Sequence, residues 1–153
     1  MALSLFVLLK IAHILAAITA LGASLTYPFW LRRAGHDRER VLDAIDGIAS
    51  LDRRVANPAY TVAFLTGTAM ILTGVYSFST FWVAAAIVLF VIVAVLGITV
   101  YAPVVRRLRA EAERDVHSPA YAAIERRQRA MGVLVTILVV AIVVLMVAKP
   151  TPG

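Results

Sequence analysis

Hydrophobic residues run in four long blocks along the chain, separated by two arginine-dense stretches and one short polar break. Between Arg54 and Arg106 lie 51 consecutive residues without Asp, Glu, Lys, Arg or His. A helix needs about 20 apolar residues to cross a bilayer, so this run holds two crossings. Ser77, Phe78 and Ser79 form the break between them. The pattern predicts spans over about 2–31, 58–78, 80–105 and 130–148. Spans two and three are expected as a tight antiparallel hairpin with almost no loop. The alternation of long, tiny and long connections predicts an all-α, up-down four-transmembrane-helix bundle, one domain over residues 1–153.

The connecting segments 32–57 and 106–129 are themselves patterned. Val41, Leu42, Ile45, Ile48 and Ala49 recur at helical spacing, with Arg, Asp and Glu on the other face. This predicts a short helix on the membrane interface or over the end of the bundle. Ser118-Pro119 reads as an N-cap followed by proline at the first helical position. The fourth helix is therefore expected to begin near Pro119 and run to Ala148, about 45 Å at ~1.5 Å per residue.

Composition narrows the function classes. The chain is 61% hydrophobic and 16% charged, against roughly 45–50% and about 25% in soluble domains, which excludes an ordinary soluble enzyme. The absence of cysteine removes thiolate catalysis, disulfides, iron–sulfur clusters and zinc–thiolate sites together. The N-terminal apolar run is too long for a signal peptide and lacks a basic leader, so it is expected as a retained first span.

The formal charge of +6 is distributed as topology rather than as a nucleic-acid patch. Six arginines lie in 32–54 and seven in 106–129, whereas Lys10 and Lys149 lie near the opposite side. The positive-inside rule places both arginine-rich segments in the cytoplasm and both termini outside.

Ionisable side chains inside lipid are expensive and default to functional candidates. Two occur here, Lys10 and His13, three residues apart on one helix face. Met70 on the second span falls at a similar predicted depth, so a His13–Met70 axial pair around a haem b is one arrangement the sequence permits. A pair of His13 side chains meeting across a homodimer is another. Against these stand plainer uses: Lys10 snorkelling to the surface, His13 hydrogen-bonding a neighbouring helix and Met70 packing. His36 and His117 read as solvated residues of the arginine-rich segments.

Ala12, Ala16, Ala20 and Ser24 repeat every four residues along span one, and Ala63, Gly67 and Gly74 line one side of span two. Such stripes let backbones approach closely in a bilayer, first for packing span one on span two and second for a dimer interface. Tyr27, Trp30, Trp82 and Tyr101 fall near span ends, as aromatic-belt residues do. No Asp or Glu falls in any predicted span, which argues against a proton- or sodium-coupled carrier. No phosphate loop, HExxH or Ser–His–Asp set is present. The residues therefore point to a non-enzymatic bundle with a structural or regulatory role, and alternatively to a membrane protein that binds haem or porphyrin through His13.

The first span reads Leu9-Lys10-Ile11-Ala12-His13-Ile14, with Pro28 fifteen residues after the histidine. The second opens Asn57-Pro58-Ala59, with Gly67 nine residues after the proline, and the fourth ends Lys149-Pro150. In these features the chain resembles small bacterial four-helix membrane proteins that include the four-helix protoporphyrinogen oxidase and the membrane domain of copper-resistance protein D. It resembles most a sister family of predicted bacterial integral membrane proteins of unknown function. The resemblance implies a bacterial inner-membrane protein. It makes His13 the first-span histidine with Lys10 as companion, and Pro58 and Gly67 fold-defining positions. The chain departs from the oxidase where span three lacks lysine and histidine, Phe29 follows the proline, and Arg129-Ala130 stands for an Asn-Glu pair.

Overall fold

The computed structural model describes residues 4–150; the predicted start of the first span at Ala2 lies outside them. Four helices are long and apolar enough to cross a membrane: α1 (Leu5–Ala34), α2 (Arg38–Leu72), α3 (Phe81–Arg114) and α4 (Pro119–Ala148). Hydrocarbon offers backbone N–H and C=O groups no partner, so the apolar blocks must bond within themselves, and helix is the form that does so in a single segment. Capping residues open three of the helices. Ser4 accepts from the Val7 N–H at 3.4 Å, Asp37 from Arg40 at 3.0 Å and Ser118 from Tyr121 at 3.0 Å. The start of α4 at Pro119 and its end at Ala148 are those the sequence predicts.

The arginine-rich segments continue the spanning helices rather than linking them. The expected helix around 41–49 is present as Arg38–Leu51, and it runs on into the second span. What joins the two is a wide, π-type turn over Asp52–Ala56, and α3 carries a second over Gly97–Tyr101. Each precedes a proline by two residues, Pro58 and Pro103. Proline lacks an N–H, and its ring collides with the carbonyl four residues back. A wider turn just upstream relieves that collision. The Asn57 N–H reaches the Asp52 carbonyl and the Ala102 N–H that of Gly97, five residues back in both cases.

The link between α2 and α3 is longer than the expected tight hairpin. α2 ends at Leu72 rather than Phe78, and residues 73–80 form turns. Gly74 causes the stop: it takes φ 80°, a left-handed conformation that costs a residue without Cβ little. Its N–H bonds the Ile71 carbonyl at 2.9 Å. Gly74, expected on the packing face of span two, is a turn residue instead.

The helices pack as two close pairs. α1 and α2 bury Ala16 and Ala20 of one and Ala59 and Ala63 of the other, small residues that let the backbones approach. α3 and α4 bury Ala86, Val93, Val139 and Ile142. The apolar halves of α2 and α3 nowhere come within 8 Å at Cα. Phe64 and Phe90, stacked with centroids 5.4 Å apart, bridge that side.

At the arginine-rich end all four helices close on a second core of Ala34, Val41, Ile45, Leu108, Ala112, Val116 and Tyr121. Arg109 donates to Asp46 at 2.8 Å, and Arg38 donates to the Glu113 carbonyl at 2.9 and 3.1 Å. The Arg109 hydrogen bond holds the Asp46 carboxyl below the usual carboxylate range. Such exposed pairs add little stability, so the apolar contacts beneath them hold this end together.

Candidate functional site: a cavity between two helix pairs

Because the two pairs diverge, a cavity of about 470 Å³ remains between them, lined by all four helices. Lys10 and His13 of α1, Met70 of α2, and Met146 and Lys149 near the end of α4 all face it. The structure thus brings the three predicted site residues Lys10, His13 and Met70 to one space.

His13 is the most constrained of them. Its Nδ1 lies 2.7 Å from the Ala63 carbonyl and 3.3 Å from Thr66 Oγ1. A carbonyl can only accept, so Nδ1 carries the hydrogen. Thr66 spends its own hydroxyl proton on the Val62 carbonyl at 2.6 Å, which leaves its oxygen free to accept as well. In the neutral imidazole this fixes Nε2 as the lone-pair nitrogen. The ring rests on Gly67, where a Cβ would stand 3.0 Å from Cε1 and 3.3 Å from Nδ1. That contact is the physical reason for glycine at position 67.

Met70 stands one turn beyond Gly67 on α2, the helix against which His13 rests. His13 from α1 and Met70 from α2 thus line one cavity. Met146 of α4 lines it as well.

The end of the cavity near Lys149 is closed by aromatic rings. Lys149 ends α4 in a left-handed conformation, φ 46°. Its ammonium donates to the Tyr76 hydroxyl at 2.8 Å and lies 5.0 and 5.5 Å from the centroids of Tyr76 and Trp82. Tyr76 and Trp82 meet edge to face at 5.0 Å, and Phe6 adds a third ring 5.9 Å from Tyr76. Trp82, expected only as a belt residue, is part of this closure. Two ammonium groups thus line a cavity whose described lining contains no carboxylate. A low-dielectric space with that balance attracts anions.

Toward the arginine-rich end the cavity is floored by Tyr60. Its hydroxyl lies 3.3 Å from Ser24 Oγ, and Ser24 donates to the Ala20 carbonyl at 3.0 Å. Below it Tyr27 donates to Asp52 at 2.5 Å, and Gln128 donates to Tyr101 at 3.3 Å. Tyr27 departs from its expected place. Tyr27, 5% exposed, is an interior residue and not part of a lipid-facing belt. The carboxylate of Asp52, in the segment preceding the predicted second span, is half-buried because the wide turn at 52–56 places it against Tyr27. Tyr27→Phe strands that carboxylate, and a buried polar group left unpaired costs about 1–3 kcal/mol. A fall in thermal midpoint in detergent of about 2–4 °C per kcal/mol is expected.

The remaining predicted residues have structural work. Ala16 and Ala20 are buried, and Ala12 and Ser24 half-buried, along α1. The stripe serves the contact with α2 inside one chain. Pro58 sets the wide turn. His36 and His117 stack at 6.0 Å across the two turns of the arginine-rich end.

Residues 7–150 match the family described as predicted integral membrane protein (DUF2269). The chain belongs to this family. No curated protein and no solved structure matches it. The matched stretch of this DUF2269 protein runs from the first turn of α1 past the end of α4. It therefore contains Lys10, His13, Gly67, Met70 and Lys149, and the family description agrees with the four spanning helices.

Proposed function

We propose that this protein is a non-enzymatic, regulatory binding bundle of the bacterial inner membrane that holds a haem or porphyrin in the cavity between its helix pairs. The observation that carries the reading is the setting of His13. One ring nitrogen is tied to the Ala63 carbonyl while the ring faces the cavity. That is the outer-shell arrangement that orients a metal-ligating imidazole and raises its basicity. Among the described residues no group of three or more His, Asp or Glu is placed to hold a bare ion. A macrocycle that brings its own four nitrogens needs a single axial histidine from the protein.

The rest of the donor set fits the same class. Lys10 and Lys149 supply two cations for a ligand's acid groups, and Ile14, Phe64, Phe90 and Val139 supply apolar walls. Bound haem would bring a redox-active iron. His13 would orient it, Lys10 and Lys149 would neutralise its acid groups, and the apolar walls would exclude water. With the arginine-rich end in the cytoplasm, the acid groups would lie toward the outer leaflet.

The test is an absorption titration of haem into the purified full chain in mild detergent, oxidised and dithionite-reduced. A Soret band that shifts on reduction is expected. In His13→Ala a free or altered band is expected, with affinity weakened about tenfold or more, the range seen when a metal site's support is lost. A spectrum identical in wild type and His13→Ala would overturn the reading and leave His13 as a packing residue of a scaffold.

A further inference from the structure

A second, separate hollow of about 870 Å³ opens at the arginine-rich end, between the last turns of α1 and the first half of α2. Trp30, Arg33, Arg40 and Asp43 surround a floor that includes Gly47 and Ile48. Arg33 and Arg40, like most arginines of this end, make no side-chain hydrogen bond or ion pair among the described residues, and these two line the groove. Asp43 is likewise unpaired, and it stands one turn from Arg40 on the same face of α2. Finally, a Cβ at Gly47 would meet nothing within 4 Å, so the floor is open rather than filled by a neighbour.

The groove lies where the chain leaves the bilayer. Trp30, 48% exposed, marks the interface at its rim. Beyond it, α1 turns polar with Arg32 and Arg33. Two guanidinium groups suit a phosphate, which accepts several charge-assisted hydrogen bonds. The carboxylate beside them suits a cation carried by the same molecule. We propose that this groove binds the headgroup of a phosphatidylethanolamine-type lipid from the adjacent leaflet. Its phosphate lies between Arg33 and Arg40, its ammonium pairs with Asp43, and its acyl chains pass Trp30 into the hydrocarbon. An anionic headgroup without an amine would leave Asp43 unpaired next to a phosphate. The carboxylate therefore sets the preference, and the arginines set the affinity.

The test is native mass spectrometry of the full chain. The protein is released from detergent after equilibration with equimolar phosphatidylethanolamine, phosphatidylglycerol and phosphatidylcholine of one acyl composition. A retained ethanolamine lipid, several-fold enriched over the other two, is expected. Arg33→Ala and Arg40→Ala should each lower retention about tenfold, since a charge-assisted hydrogen bond of this strength corresponds to such a factor. Asp43→Asn should keep binding but bring the ethanolamine-to-glycerol ratio close to one.

Gly47→Leu fills the open floor with a residue helices favour and leaves every charge in place, and it should abolish retention. Gly47→Ala, which intrudes far less, should keep it. Equal uptake of the three lipids by the wild type, or an unchanged ratio in Asp43→Asn, overturns the proposal. Competition by inorganic phosphate as effective as that by lipid overturns it too, because the site would then be one for free phosphate.

Discussion

Replacing Gly67 with alanine is expected to push the His13 ring off its seat on α2 and to destabilise the bundle. The new methyl would stand 3.0 Å from Cε1 and 3.3 Å from Nδ1, inside the roughly 3.5–4.0 Å at which carbon contacts are favourable. The ring cannot slide away without stretching its 2.7 Å hydrogen bond to the Ala63 carbonyl, and α1 is held close by Ala16 and Ala20. Overpacking of this kind costs about 1–3 kcal/mol, read as a thermal midpoint lowered by about 2–4 °C per kcal/mol.

The sign of the change is informative, because glycine to alanine inside a helix otherwise stabilises by roughly 0.5–1 kcal/mol. Gly22→Ala on α1, where a Cβ meets nothing within 4 Å, should show that ordinary gain. The double variant His13→Ala/Gly67→Ala should recover most of the loss, since removing the ring removes the clash, and the cycle isolates their coupling. On the proposed haem reading, binding is expected to fall in Gly67→Ala as in His13→Ala, because the imidazole would be misdirected in one and absent in the other. Gly67→Ala with wild-type stability and wild-type binding would show that the ring does not rest on position 67.

The contact between His13 and Gly67 also shows how far this site was legible in the chain. Lys10 and His13 stand out because lipid makes ionisable groups costly, and the four apolar blocks declare themselves by length. The helix around Val41, Ile45 and Ile48 and the start at Ser118-Pro119 follow from periodicity and capping chemistry. Asn57-Pro58 misleads, because proline usually marks a helix start. Here a wide turn upstream absorbs it, so one helix runs from Arg38 to Leu72.

The same turn brings Asp52 to Tyr27, a placement that no 3.6-residue period contains. Gly74 looks like one more small residue of a stripe until its positive φ is known. The cavity itself depends on which pairs of helices close and which stay apart. That choice rests on the summed packing of many side chains, as with Phe64 on Phe90, and has no local signature. Lys149 joins Lys10 only because a left-handed residue ends α4 and turns its ammonium onto Tyr76 and Trp82.

Leu108→Ala is expected to be the most destabilising single truncation in the molecule, although it lies far from the cavity. Leu108 is 1% exposed and packs with Val41, Ile45, Ala112, Val116 and Tyr121, drawn from three helices and the turn before α4. This core sits among arginines, at the end where the helices turn polar. There the alternative to burial is water, and the hydrophobic effect acts in full. Within the apolar halves the alternative is lipid, as apolar as the side chain itself, and that driving force is missing.

Truncation of a buried leucine costs about 2–5 kcal/mol, whereas Ile98→Ala, 75% exposed on the apolar face of α3, should change stability by less than about 0.5 kcal/mol. Chemical unfolding in detergent, followed by circular dichroism, measures both. Limited trypsin digestion adds a local readout, since loosening this core exposes Arg106, Arg107 and Arg109 to cleavage. Equal losses for Leu108→Ala and Ile98→Ala would mean that lipid-phase packing, and not a water-facing core, holds the four helix ends together.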